Sequence, residues 1–325
     1  MDGNPPPRWG APGEDQVEEV RQARVCQRKS GPASKLIPER LTMKNRLKVI
    51  PLLIAALVLT GCSSSSDDAA SSATENCAPG SLQTLESGVL TIATGEPAYY
   101  PWVIDDKPES GEGFEAAVAY AVATELGYAK ENVKWVRTTF DAAIAPGAKT
   151  FDFNLQQYSI TDERAKVVDF STPYYKSNQA IVSFKGSKIE GVTTLQGIKD
   201  SGAKLGAAVG TTSLDAIEGQ IGLKASVFND NAAAVTALKN KQIDGLVVDL
   251  PTAFYLSAVE VPKGIIVGQI DGSDAGDAGF GLLLAKASPI TSCVSKAVDA
   301  IRANGTLQAI TGKWLADSAG APVLK

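Results

Sequence analysis

The sequence contains no histidine. That absence removes Ser-His-Asp and Cys-His catalysis and every histidine-ligated metal site at one stroke. Cysteine is scarce as well. The four residues stand at 26, 62, 77 and 293 with no CxxC pair, which excludes a cysteine-rich zinc site. Neither a cofactor nor a metal is expected. Positive charge is short where the globular body should lie. Ten of the 31 basic and six of the 36 acidic residues precede Cys62, leaving 21 basic against 30 acidic residues, a net of −9, from there on. An acidic body does not attract phosphate backbones, so nucleic acid is not an expected partner. Arginine is rarer still: after Cys62 there are only Arg137, Arg164 and Arg302.

What is present begins with an export signal. Residues 43–62 read MKNRLKVIPLLIAALVLTGC, with Lys44, Arg46 and Lys48 ahead of the apolar residues 49–60. That run is shorter than the about 20 residues of a spanning helix and has the length of a signal-peptide core. It ends in Leu59-Thr60-Gly61-Cys62, which resembles the lipobox of bacterial lipoproteins. The resemblance implies cleavage before Cys62, acylation (palmitate) of that cysteine and anchoring in the cell membrane on its extracytoplasmic, periplasmic or outer face. An ordinary signal peptide or a buried helix is the competing reading. Residues 63–76, SSSSDDAASSATEN, offer no large apolar side chain and read as a flexible tether within a linker spanning 62–81. Residues 1–42 are polar and Pro-rich at the start and do not suit a signal peptide. The expectation is that translation begins at Met43; a genuine cytoplasmic extension is the alternative.

At 325 residues and 44% hydrophobic, the chain can fill one large or two medium domains. Residues 89–94 read as a strand. Phe114, Ala117, Val118, Ala121, Val122 and Leu126 share one helix face that Gly127 ends. A strand over 132–136, a helix over 140–148 and a strand over 151–157 complete a βαβαβ order, the mark of a parallel sheet covered by helices. A second set follows: strands over 204–209, around Val227, and over 243–248 and 265–270, with helices over 211–220, 232–241 and 252–259. A strand over 280–285 and two helices close the chain. On the first of those helices Ile290, Cys293, Val294, Ala297, Val298 and Ile301 share a face.

Ligands of parallel α/β sheets bind beyond the carboxyl ends of the strands. Arg164 stands there, and a planar guanidinium suits a carboxylate. A surface pairing with Asp162 or Asp169 fits equally well. Gly210-Thr211-Thr212-Ser213 opens a helix after a strand, which suits either an anion or simple capping. Asp249 ends a strand and could hold an ammonium or cap the helix that follows. Tyr99, Tyr100 and Trp102 around Pro101 could wall a pocket or fill a core.

The order of these signals resembles the periplasmic amino-acid-binding proteins of ABC transporters, solute-binding protein family 3. The matching segments are Gly88-Val-Leu-Thr-Ile-Ala with Tyr99-Tyr-Pro-Trp102, Gly113-Phe-Glu115, and Ser159-Ile-Thr-Asp-Glu-Arg-Ala165. Asp169-Phe-Ser-Thr-Pro-Tyr-Tyr175, Val209-Gly-Thr-Thr212, Ile243-Asp-Gly with Asp249, and Gly305-Thr-Leu with Lys313-Trp314 follow in order. The resemblance implies an α/β, two-lobed, type II periplasmic-binding-protein-like fold, each lobe a mainly parallel sheet flanked by helices. One lobe would span 82–177 plus 278–325 and the other 178–277, with hinges near 176–180 and 275–279. It further implies that Arg164 grips the α-carboxylate, assisted by Thr212 and Thr211, and that Asp249 with Ser159 holds the α-ammonium. Tyr99 and Phe140 would line the pocket, and Glu96 would meet the ligand side chain. Gln157 departs from the small residue usual at its place, either shrinking the pocket or adding a polar contact. A Cys77–Cys293 bridge is expected, since Cys77 just precedes the first lobe, Cys293 sits on one of its helices and disulfides persist outside the cytoplasm; a buried free thiol at Cys293 is the alternative.

The function implied is capture of a polar amino acid by a monomer and delivery to a membrane ABC permease, without catalysis. Two alternatives use the same fold: a cyclohexadienyl or arogenate dehydratase with Glu96 or Glu115 as acid, and a ligand-sensing receptor module.

Overall fold

A computed structural model describes residues 76–78, 80–270, 272, 278–316 and 320–325. The expected signal segment, Cys62 and most of the expected tether therefore lie outside the described residues. From Ala73 onward the chain clusters as one compact unit.

In chain order the strands and helices of the first lobe are β1 (Leu90–Thr94), α1 (Phe114–Glu125), β2 (Val133–Arg137), α2 (Phe140–Ile144), β3 (Phe153–Asn154), α3 (Asp162–Ala165) and β4 (Val168–Phe170). The second lobe continues with β5 (Gln179–Phe184), α4 (Leu195–Asp200), β6 (Leu205–Ala208), α5 (Thr212–Asp215), β7 (Ser226–Phe228), α6 (Asn231–Lys239), β8 (Gly245–Asp249), α7 (Leu250–Tyr255) and β9 (Gly264–Ile270). The chain then returns through β10 (Leu283–Ala285), α8 (Thr291–Ala303) and α9 (Thr306–Trp314) and ends in β11 (Val323–Leu324).

Two sheets result, with strand orders β2-β1-β3-β10-β4 and β11-β9-β5-β8-β6-β7. Both are mainly parallel, as the resemblance implies, but mixed: one strand in each runs against the others. Strands β1, β2 and β3 pair in parallel, as do β6, β7 and β8, and β9 with β11. The antiparallel members are β5 and β10, the strands that follow the crossings between lobes. A strand that starts at the cleft must oppose neighbours that end there.

Packing explains the order. In the first lobe Phe114, Val118 and Val122 of α1 and Val294, Val298 and Ile301 of α8 bury one face each against Leu90, Ile92, Leu282 and Leu284. Cys77 and Cys293 are joined by a disulfide. In the second lobe Ala180 and Val182 of β5 with Leu246 and Val248 of β8 face the core under α6 and α7. Ile181 and Val247, one residue out of phase, face the core under α4. Side chains alternate across a strand, so a sheet covered on both faces reads as a continuous apolar run.

The sequence expects a helix over 140–148, but α2 ends at Ile144. Ala145 turns extended (ψ 147), as the residue before a proline prefers. The tail is a second difference. Residues 278–325 do not all belong to the first lobe, because β11 pairs with β9 in the second sheet and Leu324 is 1% exposed within its core. Gly268 makes room for it: a Cβ there would lie 2.7 Å from Leu324 Cγ. Of the expected hinge at 275–279, only Ala278 and Gly279 lie within the described residues. There Gly279 takes φ 109, and a Cβ would sit 2.5 Å from the Tyr175 carbonyl of the other crossing. The two crossings are thus pressed together, linked by the bond from the Phe280 amide to the Tyr175 carbonyl, 2.7 Å.

Candidate ligand cleft

A cleft of about 400 Å³ lies between the lobes. Its walls carry the residues that follow the strand ends: the β1 loop, α2 and the β3 loop on one side, the N-terminus of α5, the β7 loop and the end of β8 on the other. The lobes meet across it. Trp102 Nε1 donates to Thr252 Oγ1 at 2.8 Å, the Tyr100 and Tyr255 rings stand 5.3 Å apart, and Ser159 Oγ is 3.4 Å from Thr212 Oγ1.

Arg164 faces this cleft and is 9% exposed. Thr161 caps α3 by accepting from the Arg164 amide, which fixes where the side chain starts. Nη1 donates to the Ser159 carbonyl at 2.7 Å and Nη2 crosses to the Gly210 carbonyl at 2.8 Å. The guanidinium carbon lies 5.3 Å above the Phe140 ring, and Phe140 stacks on Tyr158 at 4.8 Å. The surface pairing with Asp169 does not form. Asp169 pairs instead with Lys286 at 3.1 Å.

Asp249 lines the opposite wall. It occupies the N-cap position of α7 but makes no side-chain cap bond. Its Oδ1 accepts from Gln179 Nε2 at 2.8 Å. Gln179 is 2% exposed and also accepts from Ser213 Oγ. Sequence reasoning missed this residue, because its role depends on the β5–β8 register that sets Gln179 opposite Asp249.

Thr212 lines the cleft. Thr211 does too, but its hydroxyl is used on the capping alternative: it accepts from the Leu214 amide at 3.2 Å and donates to the Ala208 carbonyl at 2.7 Å. Ser159 is not on the wall. At 1% exposure it lies beneath, holding Arg164 through its carbonyl. Glu96, Tyr99 and Phe140 line the first-lobe side, with Glu96 exposed at the rim. Trp102 reaches the wall and fills core at once, 2% exposed against Phe114, Tyr175 and Phe280.

Gln157 adopts φ 51, a left-handed backbone that favours glycine, which gives its departure from a small residue a conformational cost. A buried acid offsets that cost. Glu115, in the first turn of α1, accepts from the Gln157 amide at 2.8 Å and from Gln157 Nε2 at 2.5 Å. The Tyr174 hydroxyl donates to the same carboxyl. The long amide is therefore turned onto Glu115. Gly113 lets α1 start here: it has φ 105, and a Cβ would lie 2.4 Å from the Trp102 carbonyl.

Burial pushes Glu115 up from 4.5 to about 7, against the pull of the bonds from Tyr174 and Gln157. Between those values the folded chain holds a proton that the unfolded chain has released. The group's contribution to stability is then complete below about 4.5 and is lost as pH rises through about 7. Glu115→Gln removes this dependence. In urea unfolding, the variant should gain on the parent steadily from about pH 5 to pH 8. A difference that stays constant across that window would show that Glu115 does not titrate there.

Two mixed sheets meeting over a polar cleft, joined by crossings at one end, define a type II periplasmic-binding-protein fold. The chain belongs to the bacterial extracellular solute-binding proteins, family 3, whose profile matches residues 90–317. It is similar to the arginine-binding extracellular protein ArtP of Bacillus subtilis, 27% identical over 82% of this chain and 97% of that one. It is also similar to the L-cystine-binding protein TcyJ of Escherichia coli K12, 30% identical over 74% of this chain and 86% of that one. Among solved structures, an ancestral arginine-binding protein bound to glutamine superposes with a TM-score of 0.58 at 29% identity, over 71% of this chain and 99% of that one.

Proposed function

We propose that this protein captures a polar amino acid outside the cytoplasm and delivers it to an ABC permease. One observation carries the reading: Arg164 of the first lobe and Asp249 of the second line the same cleft. A zwitterion needs a cation for its carboxylate and an anion for its ammonium, and neither lobe supplies both. The ligand thus favours closure through contacts that exist only when the lobes meet. Gln179 orients Asp249 and reaches the Thr212 hydroxyl with the same amide nitrogen, at 3.4 Å.

The names of the relatives support an amino-acid ligand but span a cationic and a disulfide-linked one. The lipobox resemblance supports anchoring through acylated Cys62, and we propose that the protein works as a monomer on the outer face of the membrane. We read the cleft as non-enzymatic. Of the two acids a dehydratase could use, Glu115 has its oxygens engaged by Gln157 and Tyr174, and Glu96 stands exposed at the rim.

A thermal-shift screen against the common amino acids tests the reading. A cognate ligand at 100 times its dissociation constant should stabilise the protein by about 2.7 kcal/mol. If no amino acid raises the melting temperature while the protein is folded, the reading is wrong.

A further inference from the structure

The charges lining the cleft do not balance. Five acidic residues face it, Glu96, Glu115, Asp141, Asp230 and Asp249, and among the described residues lining it Arg164 is the one cation. They arrive from both lobes: the β1 loop, the first turns of α1 and α2, the residue capping α6, and the end of β8. Arg137, behind the wall, does not correct the excess. It donates to the Gly95 carbonyl at 2.7 Å and pairs with Asp106 at 2.5 Å.

A zwitterion has no net charge. Placed as proposed above, its carboxylate answers Arg164 and its ammonium answers Asp249, and the imbalance stays as large as before. Glu115 is buried under Gln157, leaving Glu96, Asp141 and Asp230, all exposed at the rim. The field of Asp230 reaches the lining: burial first, then Asp230 ahead of Glu260, raises the Tyr99 phenol well above its ordinary value. Clefts lined by one sign of charge focus that field on whatever enters. Tyr99 adds a ring to the same space, which an extended cation can use.

Resting on the amino-acid reading, we propose that the cleft selects an amino acid whose side chain carries a second positive charge. The groups that determine this are Glu96 and Asp141 on the first-lobe rim and Asp230 on the second. Such a ligand presents a carboxylate to the buried guanidinium at one end and a cation to the acidic rim at the other. A neutral polar amino acid satisfies only the first.

Isothermal titration of the intact protein in mild detergent separates the possibilities. Arginine is compared with citrulline, its uncharged isostere, and lysine with glutamine. Arginine or lysine is expected to bind at least about 30-fold more tightly than its neutral counterpart, and its affinity should fall more steeply with salt. Glu96→Gln, Asp141→Asn and Asp230→Asn should each narrow that ratio; asparagine at 230 keeps the cap on the Ala233 amide intact. Citrulline and glutamine binding as tightly as their charged counterparts would overturn the cation selection while leaving the amino-acid reading standing. Binding by none of the four, nor by any amino acid of the thermal screen, would overturn both.

Discussion

Replacing Arg164 with alanine is expected to abolish the thermal shift produced by the best amino-acid ligand. The side chain is held in place before any ligand arrives, fixed by the Ser159 and Gly210 carbonyls and the Phe140 ring beneath. Little side-chain entropy remains to be lost when a carboxylate docks. Truncating one partner of a buried charged pair costs about 2–5 kcal/mol, a rise in dissociation constant of about 30-fold to several thousandfold. Part of that cost has a second source, because the Gly210 contact also ties the lobes together. Arg164→Lys separates the two. It keeps a positive charge but loses the planar fork, so affinity should fall less than in the alanine variant and still well below the parent. Calorimetry on variants whose near-ultraviolet circular dichroism is unchanged makes the measurement. An alanine variant that keeps the full ligand response would refute the carboxylate assignment.

How much of this site can be read in the sequence differs from residue to residue, for physical reasons. Arg164 is legible as a position beyond a strand end, but its sequence context fits a surface pairing with Asp162 or Asp169 equally well, and only packing shows that it faces the cleft. The helix face of α8 is legible because it buries one stripe, which leaves a helical period in the sequence, whereas α1 is buried or half-buried all round from Phe114 to Ala123. Strand β5 is not legible. Five of its six residues are buried and Phe184 partly so, hence Gln179–Phe184 shows no alternation, and the sequence reading marks only a hinge near 176–180 there. With it goes Gln179, whose hydrogen bond to Asp249 exists only through antiparallel pairing of strands 70 residues apart. Glu115 is hidden for a different reason. An acid in a first helical turn usually marks an exposed N-terminus favoured by the dipole. Only packing shows that this one is buried beneath the cleft and bonded to Gln157 and Tyr174. Asp249 and Thr211 illustrate a tie that sequence leaves open. Both occupy N-cap positions, yet Thr211 uses its side chain as a cap and Asp249 does not.

Removing the disulfide carries the largest expected effect on stability. Cys77 and Cys293 are 216 residues apart, so the bridge closes most of the folded unit into one loop. The chain-entropy relation gives about 5 kcal/mol for a loop of that length, a large share of the 5–15 kcal/mol typical of a folded protein. Cys293 is 1% exposed on the face of α8 that packs against the first sheet, and Cys77 lies against the same core. The bridge therefore anchors the chain entering the first lobe to the helix that covers its sheet. Cys77→Ser leaves Cys293 as a small buried thiol that still fills its place, which makes it the cleaner variant. Its urea midpoint is expected to fall and the slope to rise, because the unlinked chain exposes more surface on unfolding, while the ligand-induced shift survives, since the cleft residues lie elsewhere. Reduction of the parent should reproduce the loss, and reduction of the variant should add nothing. Equal midpoints for oxidised parent and variant would show that the unfolded chain gains nothing by losing the link.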